Sequence, residues 1–135
     1  MNFLLDTNVI SEARRGSAEA LGWIAAVASE RLFLCVLTLG EIERGVLKLA
    51  KRDATGAKHL AEWAAVIKAD FDSRILPVTD EIALKWGGLP LGRTIGVADA
   101  LIAATAIVHD LTMVTRNVRD FEECGVKLVN PWAEA

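Results

Sequence analysis

Cysteine and histidine are scarce in this chain, two of each among 135 residues, and their scarcity removes whole classes of chemistry. Cys35 lies inside the apolar run Leu32-Phe33-Leu34-Cys35-Val36 and Cys124 in a turn-like segment, a spacing that builds neither a zinc site nor a disulfide framework. Both read as reduced thiols, Cys35 as core filler. His59 and His109 stand far from the acidic motifs described below and read as surface or helix-end residues, not as ligands. Long apolar runs are also missing: none approaches the roughly 18 to 20 residues that span a bilayer. The start, Met1-Asn2-Phe3-Leu4-Leu5-Asp6, has no basic segment leading a long apolar one, so the expectation is a cytoplasmic protein with no membrane partner. Positive charge is in deficit, with a net charge of -3, which argues against a protein that holds nucleic acid by bulk electrostatics. The patterns GxxxxGK[ST], GxSxG and HExxH are absent.

What is present is a globular composition. Hydrophobic residues make up 53% and no long polar tract interrupts them, so the chain has the means to build a core, and its length predicts a single domain over residues 1–135. Five short β-rich runs, at residues 3–5, 32–36, 75–77, 112–115 and 126–129, alternate with helical patterns. Such alternation implies an α/β architecture with a largely parallel sheet covered on both faces. Helices are expected near residues 9–15, 18–29, from Thr38 to about residue 52, 59–71 and 81–86, and over the apolar stretch 96–108. The segment 87–92, Gly-Gly-Leu-Pro-Leu-Gly, reads as a loop or a broken helix end. Basic residues gather locally in Arg14-Arg15, in Lys48, Lys51 and Arg52, and in Arg116 and Arg119. Taken singly, each cluster reads as a solvated helix face.

Four carboxylates sit where chemistry would need them. Asp6 follows the first hydrophobic run, at the C-terminal end of a central strand, where open α/β sheets bind ligands; Asp6 or Asn8 could equally cap the next helix. Glu41 lies beside the apolar arc of its helix, and it also completes a capping-box pattern, Thr38-Leu39-Gly40-Glu41. Asp99 is the only charged residue between Gly96 and Val108. A carboxylate taken into so apolar a helix needs a cation, several hydrogen bonds or a water-filled cavity. Asp120 follows a strand in Thr115-Arg116-Asn117-Val118-Arg119-Asp120-Phe121, and Asn117 could face the same site; a turn or cap is the alternative for both. Clustered carboxylates repel unless a cation joins them, and an oxygen-only ligand set selects hard ions such as Mg²⁺ or Mn²⁺.

These residues and their order resemble the PIN-domain family, in particular its VapC-type and FitB-like toxins. The likeness is carried by Leu5-Asp6-Thr7-Asn8-Val9-Ile10-Ser11-Glu12, by Thr38-Leu39-Gly40-Glu41-Ile42-Glu43-Arg44-Gly45, by residues 97–106 around Asp99, and by residues 114–121 around Asp120. The ending Asn130-Pro131-Trp132 adds to it. The resemblance implies a PIN-like five-stranded parallel sheet in the order 3-2-1-4-5. It implies a Mg²⁺ or Mn²⁺ site among Asp6, Glu41 and Asp99, with Asp6 and Asp99 as metal ligands, Asp120 as a fourth catalytic acid and Asn117 in support. The activity implied is endonucleolytic cleavage of RNA, in a homodimer neutralised by a small VapB-like, DNA-binding antitoxin. Arg14, Arg15 and Arg116 are candidates for holding RNA phosphates, since guanidinium matches phosphate in bidentate geometry.

Two departures from the family pattern stand out. Asn117 occupies the place where many PIN domains have a fourth acid, with Asp120 three residues on, and the loop at residues 87–96 is short. Two other readings share some of these features. A haloacid-dehalogenase-like phosphatase also begins with a strand-end aspartate but needs a second one two residues later, where this chain has Asn8. A non-catalytic PIN module that binds RNA or protein would not require Asp6, Glu41 and Asp99 together.

Overall fold

Leu4 is buried against one group of helices while Phe3 and Leu5 are buried against another, and this two-residue alternation organises the molecule. The structure is a computed structural model that describes residues 1–90 and 95–133. Strands β1 (Phe3–Leu5), β2 (Leu32–Cys35), β3 (Ile75–Leu76), β4 (Thr112–Val114) and β5 (Leu128–Val129) form one sheet in the order β3-β2-β1-β4-β5. Every pairing is parallel, with Phe3 opposite Leu32 and Thr112, and Leu5 opposite Val114. The α/β class, the strand count and the 3-2-1-4-5 order agree with expectation.

Helices α1 (Thr7–Arg14), α2 (Ala18–Ala25), α3 (Val36–Ala50) and α4 (Ala54–Asp70) contribute Val9, Ile10, Ala20, Ile42, Trp63 and Ile67 to the cluster around Phe3, Leu5, Leu32, Leu34 and Val114. On the opposite face, α6 (Val97–Val108) and α7 (Val118–Phe121) pack Ile102, Ala103, Ala106 and Phe121 on Leu4, Cys35 and Met113. Helix α5 (Asp80–Gly87) packs beside α6. The apolar stretch 97–108 is therefore a buried helix, as its composition requires. Cys35 and Cys124 are buried free thiols, and His59 and His109 lie exposed, the latter capping α6. Among the described residues no helix is long and apolar enough to cross a membrane.

Several element ends differ from the sequence reading. Helix α4 begins well before His59, because the Asp53 carboxylate accepts from Gly56 N–H at 2.9 Å and caps it there. A side chain at Gly56 would collide with that carboxylate. Helical spacing runs on to Ala28, yet α2 ends at Ala25, since the chain must turn into β2. Arg74 pins this turn from across the fold, donating to the Ser29 carbonyl at 2.5 Å and to the Leu32 carbonyl at 2.6 Å. Helix α3 starts at Val36, not Thr38, with Cys35 in the capping position. Helix α5 runs to Gly87, and the rest of the expected loop at residues 91–92 lies outside the described residues.

The topology creates the site. Strand β1 is central, the chain leaves it toward β2 on one side, and β4 lies on the other, so a crevice opens at the C-terminal end of β1. Helix α6 leads back into β4 and so runs antiparallel to the strands, which brings its first turn to that same edge.

Candidate active site

Asp6 stands at the end of β1. Its N–H donates to the Val114 carbonyl at 2.9 Å, continuing the ladder one residue beyond the strand, and its extended backbone starts α1. The helix-cap reading of this residue is therefore met, and it does not exclude a place in the site. Oδ1 accepts from Thr7 N–H at 2.8 Å, and Oδ2 accepts from the Thr115 hydroxyl at 2.9 Å and from Asn8 Nδ2 at 3.2 Å. The residue is only 4% exposed. Burial pushes its pKa from the ordinary 3.8 up to about 6; the Thr115 and Thr7 hydrogen bonds oppose the rise, and the charges of Asp99 and Glu41 add to it.

Glu41 is not a capping-box residue. With α3 starting at Val36, Thr38 is already inside the helix and fully buried, and Glu41 turns toward α1. Glu41 Oε1 accepts from the Thr7 hydroxyl at 2.7 Å. Thr7 has a single hydroxyl proton and gives it to Glu41, so the contact between Thr7 Oγ1 and Thr38 Oγ1 at 2.9 Å requires Thr38 to donate. The buried threonine thus fixes the rotor that holds the glutamate.

Asp99 occupies the first turn of α6, half-buried. Its pKa is raised by burial first, then by the charges of Glu41 and Asp120. The electrostatic couplings therefore link Asp6 with Asp99 and Glu41, and Asp99 with Glu41 and Asp120. Four acids separated by up to 114 positions in the chain act on one another at one edge of the sheet. Among the described residues no lysine or arginine pairs with Asp6, Glu41 or Asp99.

Asn117 is exposed at the start of α7, and its side chain caps nothing there. Its N–H donates to Thr115 Oγ1 at 3.1 Å, the same hydroxyl that donates to Asp6, so its visible link to the cluster runs through the backbone. Arg116 lies over the Trp132 ring at 4.8 Å. Arg14 and Arg15 are at the other side, at the end of α1: Arg14 sits over Trp63 at 5.6 Å, and Arg15 pairs with Glu12 at 2.9 Å. The three arginines therefore do not form one cluster.

Sequence reading missed the hydroxyls. Thr7, Thr38 and Thr115 hold Asp6 and Glu41, and the available signal was the threonine near the start of each of the stretches that begin at Leu5, Thr38 and Val114. It also left Lys48, Arg52 and Trp63 as ordinary helix residues, whereas they line a groove that starts at Thr7 and Glu41.

The donor set is all oxygen and suits a hard divalent ion. Among the described residues no three His, Cys, Asp or Glu side chains close around an ion by themselves.

Comparison with known proteins gives the same frame. The chain is 34% identical to VapC ribonuclease Y4jK of Sinorhizobium fredii, with 98% of this chain and 99% of that one covered. It is 32% identical to toxin FitB of Neisseria gonorrhoeae, covering 96% and 97%. The solved structure of FitAB bound to an IR36 DNA fragment superposes with a TM-score of 0.89 at 32% identity, covering 98% of this chain and 97% of that one. Residues 3–127 match the PIN domain, and the chain belongs to the PIN-domain family.

Proposed function

We propose that this chain, a single PIN domain, is a divalent-metal-dependent endoribonuclease and the toxin half of a toxin-antitoxin pair. The observation that carries the reading is the convergence of Asp6, Glu41 and Asp99, with Asp120 beside them, at the crevice of a parallel sheet, with no neutralising cation on the first three among the described residues. Likeness along nearly the whole chain to proteins named as a VapC ribonuclease and as toxin FitB supports the activity.

Asp6 and Asp99 would hold Mg²⁺ or Mn²⁺, which supplies Lewis-acid polarisation of the scissile phosphate and lowers the pKa of a coordinated water. The protein's own groups do the positioning. Thr115, Asn8 and the Thr7 N–H fix both oxygens of Asp6 in one orientation. Thr7 fixes Oε1 of Glu41 and leaves its other oxygen to orient the attacking water and hold its proton. Asp120 adds negative charge that tightens cation binding, and Asn117 offers a neutral carbonyl oxygen nearby. Arg15 and Arg116 hold RNA phosphates on either side of the acids, and Arg14 contacts the same RNA over Trp63.

The partner is a small DNA-binding antitoxin that places a basic side chain among the acids, since uncompensated carboxylates are a ready receptor for a guanidinium fork. Homodimerisation in the cytoplasm completes the reading, and exposed Leu84, Trp86 and Val97 on the packed pair α5 and α6 give apolar surface for it. The test is cleavage of an RNA panel in Mg²⁺ beside phosphomonoester hydrolysis. RNA cleavage lost in Asp6→Asn and Asp99→Asn supports the reading; wild-type cleavage in either variant at limiting Mg²⁺ overturns the site. RNA binding without cleavage would point to a non-catalytic module.

A further inference from the structure

The groove that begins at Thr7 and Glu41 runs between α1, α3 and α4, encloses about 500 Å³, and has a charge opposite to that of the chain as a whole. Arg14, Arg15, Lys48 and Arg52 line it, with Trp63 at its wall. Only Arg15 is neutralised, by Glu12; among the described residues no acid pairs with Arg14, Lys48 or Arg52. In a protein with 18 acidic and 15 basic residues, three unpaired cations facing one groove are a marked segregation of charge. Arg14 comes from α1, Lys48 from α3 and Arg52 from the turn that follows α3, so no single solvated helix face accounts for them.

Resting on the nuclease reading above, we propose that this groove carries the single-stranded RNA leaving the catalytic acids, with Lys48 and Arg52 on successive phosphates and the Arg14–Trp63 pair as a platform for one base. Continuity fixes the direction: Glu41 is both a member of the acid cluster and a wall of the groove. The Arg14 guanidinium lies 5.6 Å from the Trp63 ring centroid, within cation–π range, which backs a planar cation with an aromatic ring. A basic groove combined with a stacking platform is how proteins hold single strands without reading sequence. An acidic peptide would also pair with these cations through the guanidinium fork, but it has no flat ring to lay on the Arg14–Trp63 pair as a nucleobase does. Arg116, stacked on Trp132 beyond β4, lies outside this groove and serves the other side of the site.

Binding of a short fluorescein-labelled single-stranded RNA, followed by anisotropy in EDTA so that no cleavage intervenes, tests the groove separately from catalysis. Lys48→Ala/Arg52→Ala should lower the slope of log K against log salt by about 1.4, which at about 0.1 M salt is roughly 25-fold weaker binding. Arg14→Lys keeps the charge and removes the plane, so it should weaken binding about fivefold at an unchanged slope. Lys68→Ala/Lys85→Ala removes the same charge outside the groove and should leave both quantities at the wild-type value. Equal losses in the two double variants would overturn the proposal, as would an RNA-blind wild type that binds oligoglutamate through Lys48 and Arg52. A failed groove leaves the dependence of cleavage on Asp99 untouched, whereas failure of the nuclease reading removes cleavage and leaves the anisotropy result standing.

Discussion

Replacing Asp6 by asparagine should stabilise the protein near neutral pH while destroying its activity, and the structure sets the size of the effect. Asp6 has a pKa of about 6 in the fold and about 3.8 in the unfolded chain. The folded state therefore binds the extra proton between those values. Stability from this group is fully present below the unfolded pKa and is lost as pH rises through about 6. Holding the carboxylate ionised in the metal-free protein at pH 7 costs about 3 kcal/mol, against well under 1 kcal/mol near pH 4. Asparagine removes that cost but not without loss. Thr7 N–H, the Thr115 hydroxyl and Asn8 Nδ2 all donate to the carboxylate, and an amide can accept at only one of its two positions. One misplaced donor costs about 1 to 2 kcal/mol, so the net gain at pH 7 is about 1 to 2 kcal/mol. In a domain of this size that is a rise in Tm of roughly 3 to 8 °C. Urea unfolding of both proteins in EDTA at pH 7 and at pH 4 measures it. The variant should be the more stable at pH 7 and equal or less stable at pH 4, and added Mg²⁺ should narrow the gap at pH 7 by stabilising the wild type alone. An unchanged difference between the two pH values would refute the burial argument.

Other outcomes follow from the same contacts. Thr7→Val removes the hydroxyl that holds Glu41 and should lower the single-turnover cleavage rate about tenfold or more at saturating Mg²⁺ and saturating RNA; an unchanged rate would remove Glu41 from the chemistry. Asp120→Asn should raise the Mn²⁺ concentration needed for half-maximal cleavage without abolishing it, and Asn117→Asp should lower that concentration; overlaid titration curves would remove both residues from the site. Ile102→Ala, in the fully buried face of α6 beneath the sheet, should cost about 2 to 5 kcal/mol of stability in urea titration, with metal dependence of the surviving activity unchanged.

The sequence by itself determined the α/β class, the five strands to within two residues at each end, and the four acids worth examining, Asp6, Glu41, Asp99 and Asp120. Those features are local. Strand alternation, helix period and the oddity of Asp99 in an apolar helix are all written in neighbouring residues. Caps and helix ends were legible only where a local signal was unambiguous, which is why Thr38 read as a cap until the helix was seen to start at Val36. Only the tertiary structure decided that Thr38 donates to Thr7 and Thr7 to Glu41, that Thr115 holds Asp6 across 109 positions, and that Lys48 and Arg52 face Arg14 and Trp63. Hydroxyl rotors and groove walls depend on which elements the sheet order makes neighbours. That order places β1 between β2 and β4, so residues from opposite ends of the chain meet at one edge, and their burial and mutual repulsion exist only once they have met.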